Sequence, residues 1–196
     1  MSENQPKSLK IALFGTSADP PTAGHQGILT GLTQNYDLVA VWASDNPFKQ
    51  HQADLVERQK MLGLLIGEIA NSDKIILKEE LSDRRSLNSL KQAKQIWGEQ
   101  AEYTIVIGSD LVEQIRSWYK IEELLTQVKI LIIPRQGYAL ENPSLSKLGN
   151  LGGKYAIANF AVPDISSTNY REKGDQTMLT EAVANYINQK GLYQQL

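Results

Sequence analysis

The chain has 196 residues, 41% of them hydrophobic, and a formal net charge of −2. That length supports one well-buried domain, and the charge argues against a general nucleic-acid binder, which needs a basic surface for phosphate contacts. The sequence has no cysteine and two histidines, which excludes disulfides, thiolate metal sites and a His-rich zinc site.

Residues 1–9 are polar and are predicted to form a disordered lead-in, followed by a single domain over 10–196. No stretch approaches the roughly 18 consecutive apolar residues of a membrane span, and the first ten residues lack a hydrophobic signal core. We therefore expect a cytoplasmic protein with no membrane partner.

The first structural element is predicted at 10–14, where Ile11 to Phe14 form an apolar run without polar alternation. Such a run is typical of a strand buried on both faces at the centre of a parallel sheet. Two prolines follow, which cannot continue a strand, and an amphipathic pattern begins after His25. The segment is predicted to be a strand, a tight loop and the N-terminus of a helix.

Further apolar runs alternate with stretches of helical periodicity along the chain. The runs lie at 38–42, 74–77, 103–107 and 128–133, and helical spacing recurs over 55–69, 87–97 and 182–187. This βαβ pattern predicts an α/β fold, a doubly wound, Rossmann-like, mostly parallel sheet with helices on both faces. Residues 137–153 lose periodicity and are predicted to be a surface loop, and 155–160 a last short strand.

Three segments at predicted strand ends are candidates for function: 15–25, 108–110 and 166–171. Open α/β sheets bind ligands at this edge, so we expect the three to converge there. The first presents backbone N–H groups and a helix dipole suited to an anion, with His25 as an added donor; a plain surface turn is the alternative. In the third, hydroxyl residues before Arg171 either cap a helix or hold a polyphosphate.

Several motifs occur in a fixed order: Thr22-Ala23-Gly24-His25, Asn46-Pro47-Phe48-Lys49, Gly108-Ser109-Asp110, Ser117-Trp118-Tyr119 and Ser166-Ser167-Thr168-x-x-Arg171. In this order they resemble the bacterial nicotinate-nucleotide adenylyltransferases of the nucleotidylyltransferase superfamily, and the resemblance extends from Lys10 to Tyr193. Three residues depart from that family's pattern: Ala18 replaces its usual Phe, Phe48 its His, and Asn88 its Thr.

The resemblance implies adenylyl transfer from ATP to nicotinate mononucleotide in NAD biosynthesis, giving nicotinate adenine dinucleotide and pyrophosphate. It implies three catalytic residues, namely His25, Lys49 and Arg171. His25, Arg171 and further loop residues would bind ATP: Gly15, Thr16, Ser17, Thr22, Gly24, Gly108, Asp110, Ser166, Ser167 and Thr168. The pyridine mononucleotide would contact Asp19, Lys49, Asn88, Trp118 and Tyr119. Mg²⁺ is expected with ATP, largely water-coordinated, without a dedicated protein site.

Other functions stay open at this point. The acceptor could be nicotinamide mononucleotide or phosphopantetheine, or the chain could be a non-catalytic nucleotide-binding module. We expect nicotinate mononucleotide to be preferred over its amide as the acceptor. Backbone N–H groups near 87–89 and 118–119, with the Asn88 amide, would favour a carboxylate. A kinase P-loop is excluded, since Gly153-Lys154 is followed by Tyr155, and no G-x-G-x-x-G follows the first strand. Oligomeric state, a homo-oligomer included, is left open.

Overall fold

The structure, a computed structural model, describes residues 8–45, 50–135 and 142–194. Its strands are β1 (Lys10–Thr16), β2 (Leu38–Ala43), β3 (Ile75–Leu77), β4 (Glu102–Gly108), β5 (Lys129–Ile133) and β6 (Lys154–Ile157). Its α-helices are α1 (Ala23–Asn35), α2 (Leu55–Gly67), α3 (Ser86–Trp97), α4 (Ile121–Leu125), α5 (Asn142–Asn150), α6 (Ser167–Lys173) and α7 (Glu181–Lys190). The predicted alternation of strands and helices is confirmed.

The strands form one sheet in the order β3-β2-β1-β4-β5-β6, and neighbouring strands pair in parallel. β1 occupies the predicted central position, between β2 and β4. The order of strand addition reverses between β1 and β4, which makes the crevice outside their carboxyl ends the place where such sheets bind ligands. The doubly wound, Rossmann-like fold class is confirmed.

Both faces of the sheet are covered, because successive side chains of a strand point to opposite faces. Ile11 and Leu13 of β1 pack with residues of α3, α4 and α5 on one face. Ala12 and Phe14 pack with residues of α1, α2 and α7 on the other. These four β1 side chains are at most 4% exposed, as expected for an unalternating apolar run.

The stretch 137–153 differs from the sequence prediction of a surface loop. Residues 137–141 lie outside the described residues, but Asn142–Asn150 form α5, so the loop prediction is wrong over that range. Leu145 and Leu148 lie one helical turn apart and both are buried in the core, which stabilises a helix in a segment of otherwise polar composition. The last strand, Lys154–Ile157, is also shorter than predicted.

The two ends of the domain are tied into the fold. Residues 1–7 of the predicted lead-in lie outside the described residues, and the Leu9 carbonyl accepts a hydrogen bond from Glu102 N at 2.8 Å. At the other end α7 packs on α2, where Tyr186 Oη donates to Glu57 Oε2 at 2.7 Å. Gly191 ends α7 in the left-handed conformation, at φ 64°, as predicted. No helix in the described ranges is long and apolar enough to cross a membrane.

Candidate active site

A cleft of about 580 Å³ opens at the carboxyl ends of β1 and β4, where the sheet topology predicts a ligand site. Several residues predicted from the sequence line it: Gly15, Thr16, Ser17, Gly108, Asp110, Trp118 and Tyr119. The loops after β1 and β4 therefore do converge. The cleft mixes apolar walls with a few polar groups, which is the usual composition of a small-molecule site.

The lack of a side chain at Gly15 makes room for the indole of Trp42 at the wall of the cleft. A β-carbon at Gly15 would lie 2.9 Å from the ring carbons of Trp42, a distance that real side chains do not show. Trp42 belongs to β2, is 6% exposed and lines the cleft beside the end of β1. Sequence reasoning assigned Trp42 only to an apolar strand, because its pairing with Gly15 across β1 and β2 is not visible in a single sequence.

His25 lies directly behind the cleft rather than on its surface. It is 6% exposed, its Nδ1 accepts a hydrogen bond from Thr22 N at 3.1 Å, and its Nε2 lies 3.0 Å from Thr16 Oγ1. Because Nδ1 accepts, the hydrogen of the neutral ring is on Nε2 and points to Thr16. The Thr16 hydroxyl lines the cleft, so His25 acts on the cleft through it.

The N-terminus of α1 is held together by the same contacts. His25 is the third residue of α1 and satisfies the backbone N–H of Thr22, the N-cap residue, which would otherwise lack an intrahelical partner. His25 thus stabilises the helix as well as the loop. The alternative of a plain surface turn does not hold for His25, which is buried.

The third segment, 166–171, is brought against the loop after β1. Ser167 Oγ donates to the Pro20 carbonyl at 2.8 Å, and Arg171 Nη1 donates to the Asp19 carbonyl. Gly24 allows this approach, because a β-carbon there would overlap the carbonyl oxygen of Ile165. The third segment therefore meets the first, as predicted, but it does so beside the cleft and not within it.

The residues of this third segment do not line the cleft itself. Ser166 caps α6, its Oγ accepting from Asn169 N at 3.1 Å, so the capping interpretation holds for that hydroxyl. Thr168 Oγ1 accepts from Arg171 Nη2 at 3.4 Å. The cleft is not lined by Thr22, Gly24 or Arg171 either. These residues lie beside it, next to the loop that carries Thr16 and Ser17.

The Asp19 side chain is bonded to other groups of the protein and is not open to a substrate. Its side chain is 2% exposed, and its two carboxylate oxygens accept from Gln52 N at 2.8 Å, Ala53 N at 3.1 Å and Tyr193 Oη at 2.6 Å. Asp19 does not line the cleft. The structure places it as the acceptor that fixes residues 52–53 and the C-terminal segment to the loop after β1.

Arg58 is a buried charge that the functional reading of the sequence missed. It is 1% exposed, and its guanidinium donates to the carbonyls of Ala53 at 3.2 Å, Ser17 at 2.7 Å and Ser44 at 2.9 Å. Burial lowers the pKa of Arg58, and the Asp19 carboxylate opposes that shift. Arg58 joins the loops after β1 and β2. The signal was an arginine on the apolar face of α2.

The loop after β4 presents a carboxylate with an open lone pair. Asp110 Oδ2 accepts from Arg135 Nη1 at 3.3 Å, whereas its buried Oδ1 has no hydrogen-bond partner among the described residues. Ser109 Oγ accepts from Arg135 N at 3.0 Å, so Ser109 and Asp110 both hold Arg135, the second residue past the end of β5. A buried, unpaired carboxylate oxygen at a cleft wall is a ready acceptor for a ligand hydroxyl. Arg135 was not predicted.

The far end of the cleft is aromatic and cationic. Trp118 lines it and is partly buried against the core, and Tyr119 is 45% exposed. The guanidinium carbon of Arg85 lies 4.2 Å from the centre of the Tyr119 ring, a cation–π contact. Asn88 does not line the cleft, and its Nδ2 donates to Asp83 Oδ1 at 3.2 Å. Lys49 lies outside the described residues.

Three arginines line the cleft, and two of them are paired. Arg84 Nη2 lies 3.4 Å from Asp45 Oδ2, and Arg135 Nη1 lies 3.3 Å from Asp110 Oδ2. Within the described ranges Arg85 has no carboxylate at ion-pair distance. The cleft therefore keeps one arginine charge available beside its aromatic wall.

Comparison with known proteins gives consistent relatives. The model of the cytidylyltransferase-like family matches residues 13–173. A Synechocystis protein named "Probable nicotinate-nucleotide adenylyltransferase" is 46% identical over 200 residues, covering 95% of this chain and all of that protein. The Bacillus subtilis protein named "Nicotinate-nucleotide adenylyltransferase" is 26% identical, over 94% of this chain and 98% of its own length.

The fold is shared with solved structures. The Plasmodium falciparum nicotinic acid mononucleotide adenylyltransferase complexed with NaAD superposes with a TM-score of 0.79 at 23% identity, over 94% of this chain and 97% of that chain. The same enzyme complexed with APC gives a TM-score of 0.77 at 23% identity. At this identity the match establishes the common architecture.

Proposed function

Because the chain belongs to the nicotinate-nucleotide adenylyltransferase family, we propose that it transfers the adenylyl group of ATP to nicotinate mononucleotide. The products are nicotinate adenine dinucleotide and pyrophosphate. The observation that carries this proposal is the 46% identity with the Synechocystis protein over essentially both full lengths. The cleft at the β1/β4 crevice supplies a site of suitable size and chemistry.

The reaction places limited chemical demands on the protein. An oxygen of the mononucleotide 5′-phosphate bonds to the α-phosphorus of ATP, and the bond from that phosphorus to the bridging oxygen breaks as pyrophosphate leaves. The attacking phosphate is already ionised at neutral pH, so no general base is needed. Catalysis then consists of aligning two anions and stabilising the charge that develops on the transferred and leaving groups.

His25 and Thr16 provide a donor at the phosphate end. The His25 Nε2 hydrogen points to Thr16 Oγ1 at 3.0 Å, which leaves the Thr16 hydroxyl hydrogen free to donate into the cleft. A phosphate oxygen there accepts from Thr16, or directly from His25 if the threonine rotates. In the first case His25 polarises the Thr16 hydroxyl that meets the developing charge, and in the second His25 is the donor itself.

Arg171 and the 166–168 hydroxyls would hold the β- and γ-phosphates, next to the loop carrying Thr16. Arg171 is 23% exposed and bonds to the Asp19 carbonyl and the Thr168 hydroxyl, which aims its guanidinium along that loop. An arginine in this position binds phosphate oxygens in a bidentate manner. Lys49 remains the proposed second phosphate cation.

Asp110 would hold the adenosine ribose. Its buried Oδ1 has no hydrogen-bond partner within the part of the chain that the structure describes, and leaving such an atom unsatisfied costs about 1 to 3 kcal/mol, more for a charged group. A ribose hydroxyl donating to this oxygen removes that penalty on binding. The Gly108 position allows the arrangement, because a β-carbon there would overlap Asp110 Oδ1.

The pyridine ring would stack on Trp118, at the end of the cleft that also holds Arg85 and Tyr119. A nicotinate carboxylate next to Arg85 gains a charged hydrogen-bond donor, whereas a neutral carboxamide does not. Arg85 therefore takes over the discriminating role that the sequence assigned to Asn88, whose amide is bonded to Asp83. We propose that the acid is the preferred acceptor.

Mg²⁺ would enter as part of the nucleotide substrate. Mg²⁺ keeps several waters and prefers substrate phosphate oxygens to an all-protein site. Among the residues that the structure describes, three carboxylates line the cleft. Asp45 and Asp110 are each within ion-pair distance of an arginine, and Asp83 Oδ1 accepts from Arg85 N and Asn88 Nδ2, so phosphate oxygens and water would supply most of the ligands. We expect the rate to follow the concentration of the Mg²⁺–ATP complex when Mg²⁺ is varied at fixed ATP.

A pyrophosphate-release assay with ATP and a panel of acceptors tests the proposal. Nicotinate mononucleotide should give the highest kcat/KM, ahead of nicotinamide mononucleotide and phosphopantetheine. A preference for either of the other acceptors would replace the substrate while retaining adenylyl transfer. Nucleotide binding without turnover on any acceptor would instead identify a non-catalytic nucleotide-binding module.

A further inference from the structure

The described C-terminal segment returns to the phosphate loop through one side chain. Tyr193 Oη donates to Asp19 Oδ1 at 2.6 Å, although the two residues are 174 positions apart. The Tyr193 ring also meets Tyr170 of α6 edge-on, with centroids 5.9 Å apart. Tyr193 is held at φ 57°, in the left-handed region that non-glycine residues seldom adopt. The fold therefore fixes this hydroxyl on Asp19.

The Asp19 carboxylate is nearly saturated by its neighbours. Gln52 N, Ala53 N and Tyr193 Oη lie 2.8, 3.1 and 2.6 Å from its two oxygens. Arg171 Nη1 lies 3.9 Å from Oδ2, beyond hydrogen-bond distance, and donates to the Asp19 carbonyl instead. Three neutral donors thus occupy the carboxylate, and the arginine remains beside it without a direct hydrogen bond to it.

The position of Arg171 matters because two anions compete for it. A guanidinium that forms a bidentate pair with a buried carboxylate is strongly held and would not be free for a phosphate. Among the described residues, the other cation near Asp19 is Arg58. Its guanidinium is fixed by the carbonyls of Ala53, Ser17 and Ser44, so it cannot move to bond with an Asp19 oxygen that has lost its donor. Arg171 is the cation that would move if Asp19 lost a donor.

We propose that Tyr193 is a positioning residue for ATP: its hydroxyl occupies Asp19 Oδ1 and so keeps Arg171 available to the triphosphate. The proposal rests on the adenylyl-transfer function above. Burial and the Asp19 contact raise the pKa of Tyr193, so the phenol remains a donor throughout the physiological range. Tyr193 itself touches no substrate.

The test compares Tyr193→Phe with Tyr186→Phe. Each change removes the hydroxyl of a tyrosine near the C-terminus. The Tyr193 hydroxyl donates to Asp19 at 2.6 Å, and the Tyr186 hydroxyl donates to Glu57 at 2.7 Å. Tyr193→Phe keeps the ring that packs on Tyr170. We expect it to raise the KM for ATP on the order of tenfold, a typical loss for one charged hydrogen bond, with the KM for the mononucleotide changed less than about twofold. Tyr186→Phe should leave both KM values unchanged.

A double-mutant cycle separates positioning from general destabilisation. Arg171→Lys cannot form the bidentate pair with Asp19, so adding Tyr193→Phe to it should raise the KM for ATP by much less than Tyr193→Phe does alone. Thermal melting of each variant without nucleotide measures the structural effect of the substitution independently. Equal KM shifts in the two tyrosine variants, or additive effects in the cycle, would overturn the proposal. If the wild-type chain turns over no acceptor, the proposed adenylyl transfer fails. If the wild-type chain is active but the Tyr193 tests fail, only the positioning role of Tyr193 is overturned.

Discussion

Arg85→Gln is expected to reduce the preference for nicotinate over nicotinamide mononucleotide. Arg85 lies 4.2 Å above the Tyr119 ring at the end of the cleft that holds Trp118, and within the described residues it has no carboxylate partner. A charged hydrogen bond contributes about 1.5 to 3 kcal/mol. Because Arg85 is exposed, solvent screening favours the low end, which corresponds to about tenfold in kcat/KM.

Steady-state rates of pyrophosphate release with each mononucleotide check this prediction. We expect kcat/KM for the acid to fall about tenfold and that for the amide to change less than about twofold, since only the acid brings a negative charge to Arg85. Glutamine retains a donor and most of the side-chain length, so the comparison isolates the charge. Loss of the Tyr119 contact should change stability by no more than about 1 kcal/mol.

Arg84→Gln is the matched control. It removes the same charge one residue earlier, from a side chain that also lines the cleft but lies 3.4 Å from Asp45 and is 68% exposed. Any general loss of positive potential is shared by the two variants, whereas among the described arginines of the cleft only Arg85 lacks a carboxylate partner. An unchanged acid-to-amide ratio in Arg85→Gln, or an equal change in Arg84→Gln, would refute the assignment.

Three further outcomes follow from the structure. His25→Ala should lower kcat by about 10² to 10³, as for loss of a donor to developing charge, and should also lower stability by about 1 kcal/mol through the lost helix-capping contact; turnover assays and thermal melting would measure the two effects separately. Arg58→Met should reduce the free energy of unfolding by about 3 kcal/mol, because the buried carbonyls of Ala53, Ser17 and Ser44 lose their charged donor; unchanged urea midpoints would contradict the bridging role. Stability should fall as pH rises above 10.0, the ordinary pKa of tyrosine, because burial raises the pKa of Tyr193 and only the unfolded chain then releases its proton; the slope, about 1.4 kcal/mol per pH unit for each such tyrosine, should be shallower in Tyr193→Phe.

The sheet could be predicted because burial on both faces leaves a direct mark on the sequence. Each central strand is an uninterrupted apolar run, and no cross-strand pairing has to be known in order to see it. Helix α5 is an exception. Among its described side chains Leu145 and Leu148 are buried, and two leucines in a polar segment are too few for the helical spacing to be recognised before tertiary packing is known.

The candidate site was predicted only where function lies within a short motif. The loops containing Gly15 and Gly108 were found because glycine and polar residues follow apolar runs at once. Arg58, Arg135 and Tyr193 act on partners up to 174 residues away, as in the contact from Tyr193 to Asp19, and a single sequence holds no record of such a pairing. Arg58 alone left a trace, as a charge on an otherwise apolar helix face that needed buried acceptors.

The two motif glycines act differently from what their phosphate-loop context suggests. A glycine before a ligand-binding residue is usually taken to expose backbone N–H groups to the ligand. Here a β-carbon at Gly24 would overlap the Ile165 carbonyl, and one at Gly108 would overlap Asp110 Oδ1. Neither glycine has a positive φ, so neither is needed for its backbone conformation. Gly24 is required because the loop after β1 and the start of α6 must touch, and Gly108 because the Asp110 carboxylate folds back over its own strand end. The glycines of Gly24-His25 and Gly108-Ser109-Asp110 are therefore needed because chain segments approach closely there. This close approach builds the site before any ligand is bound.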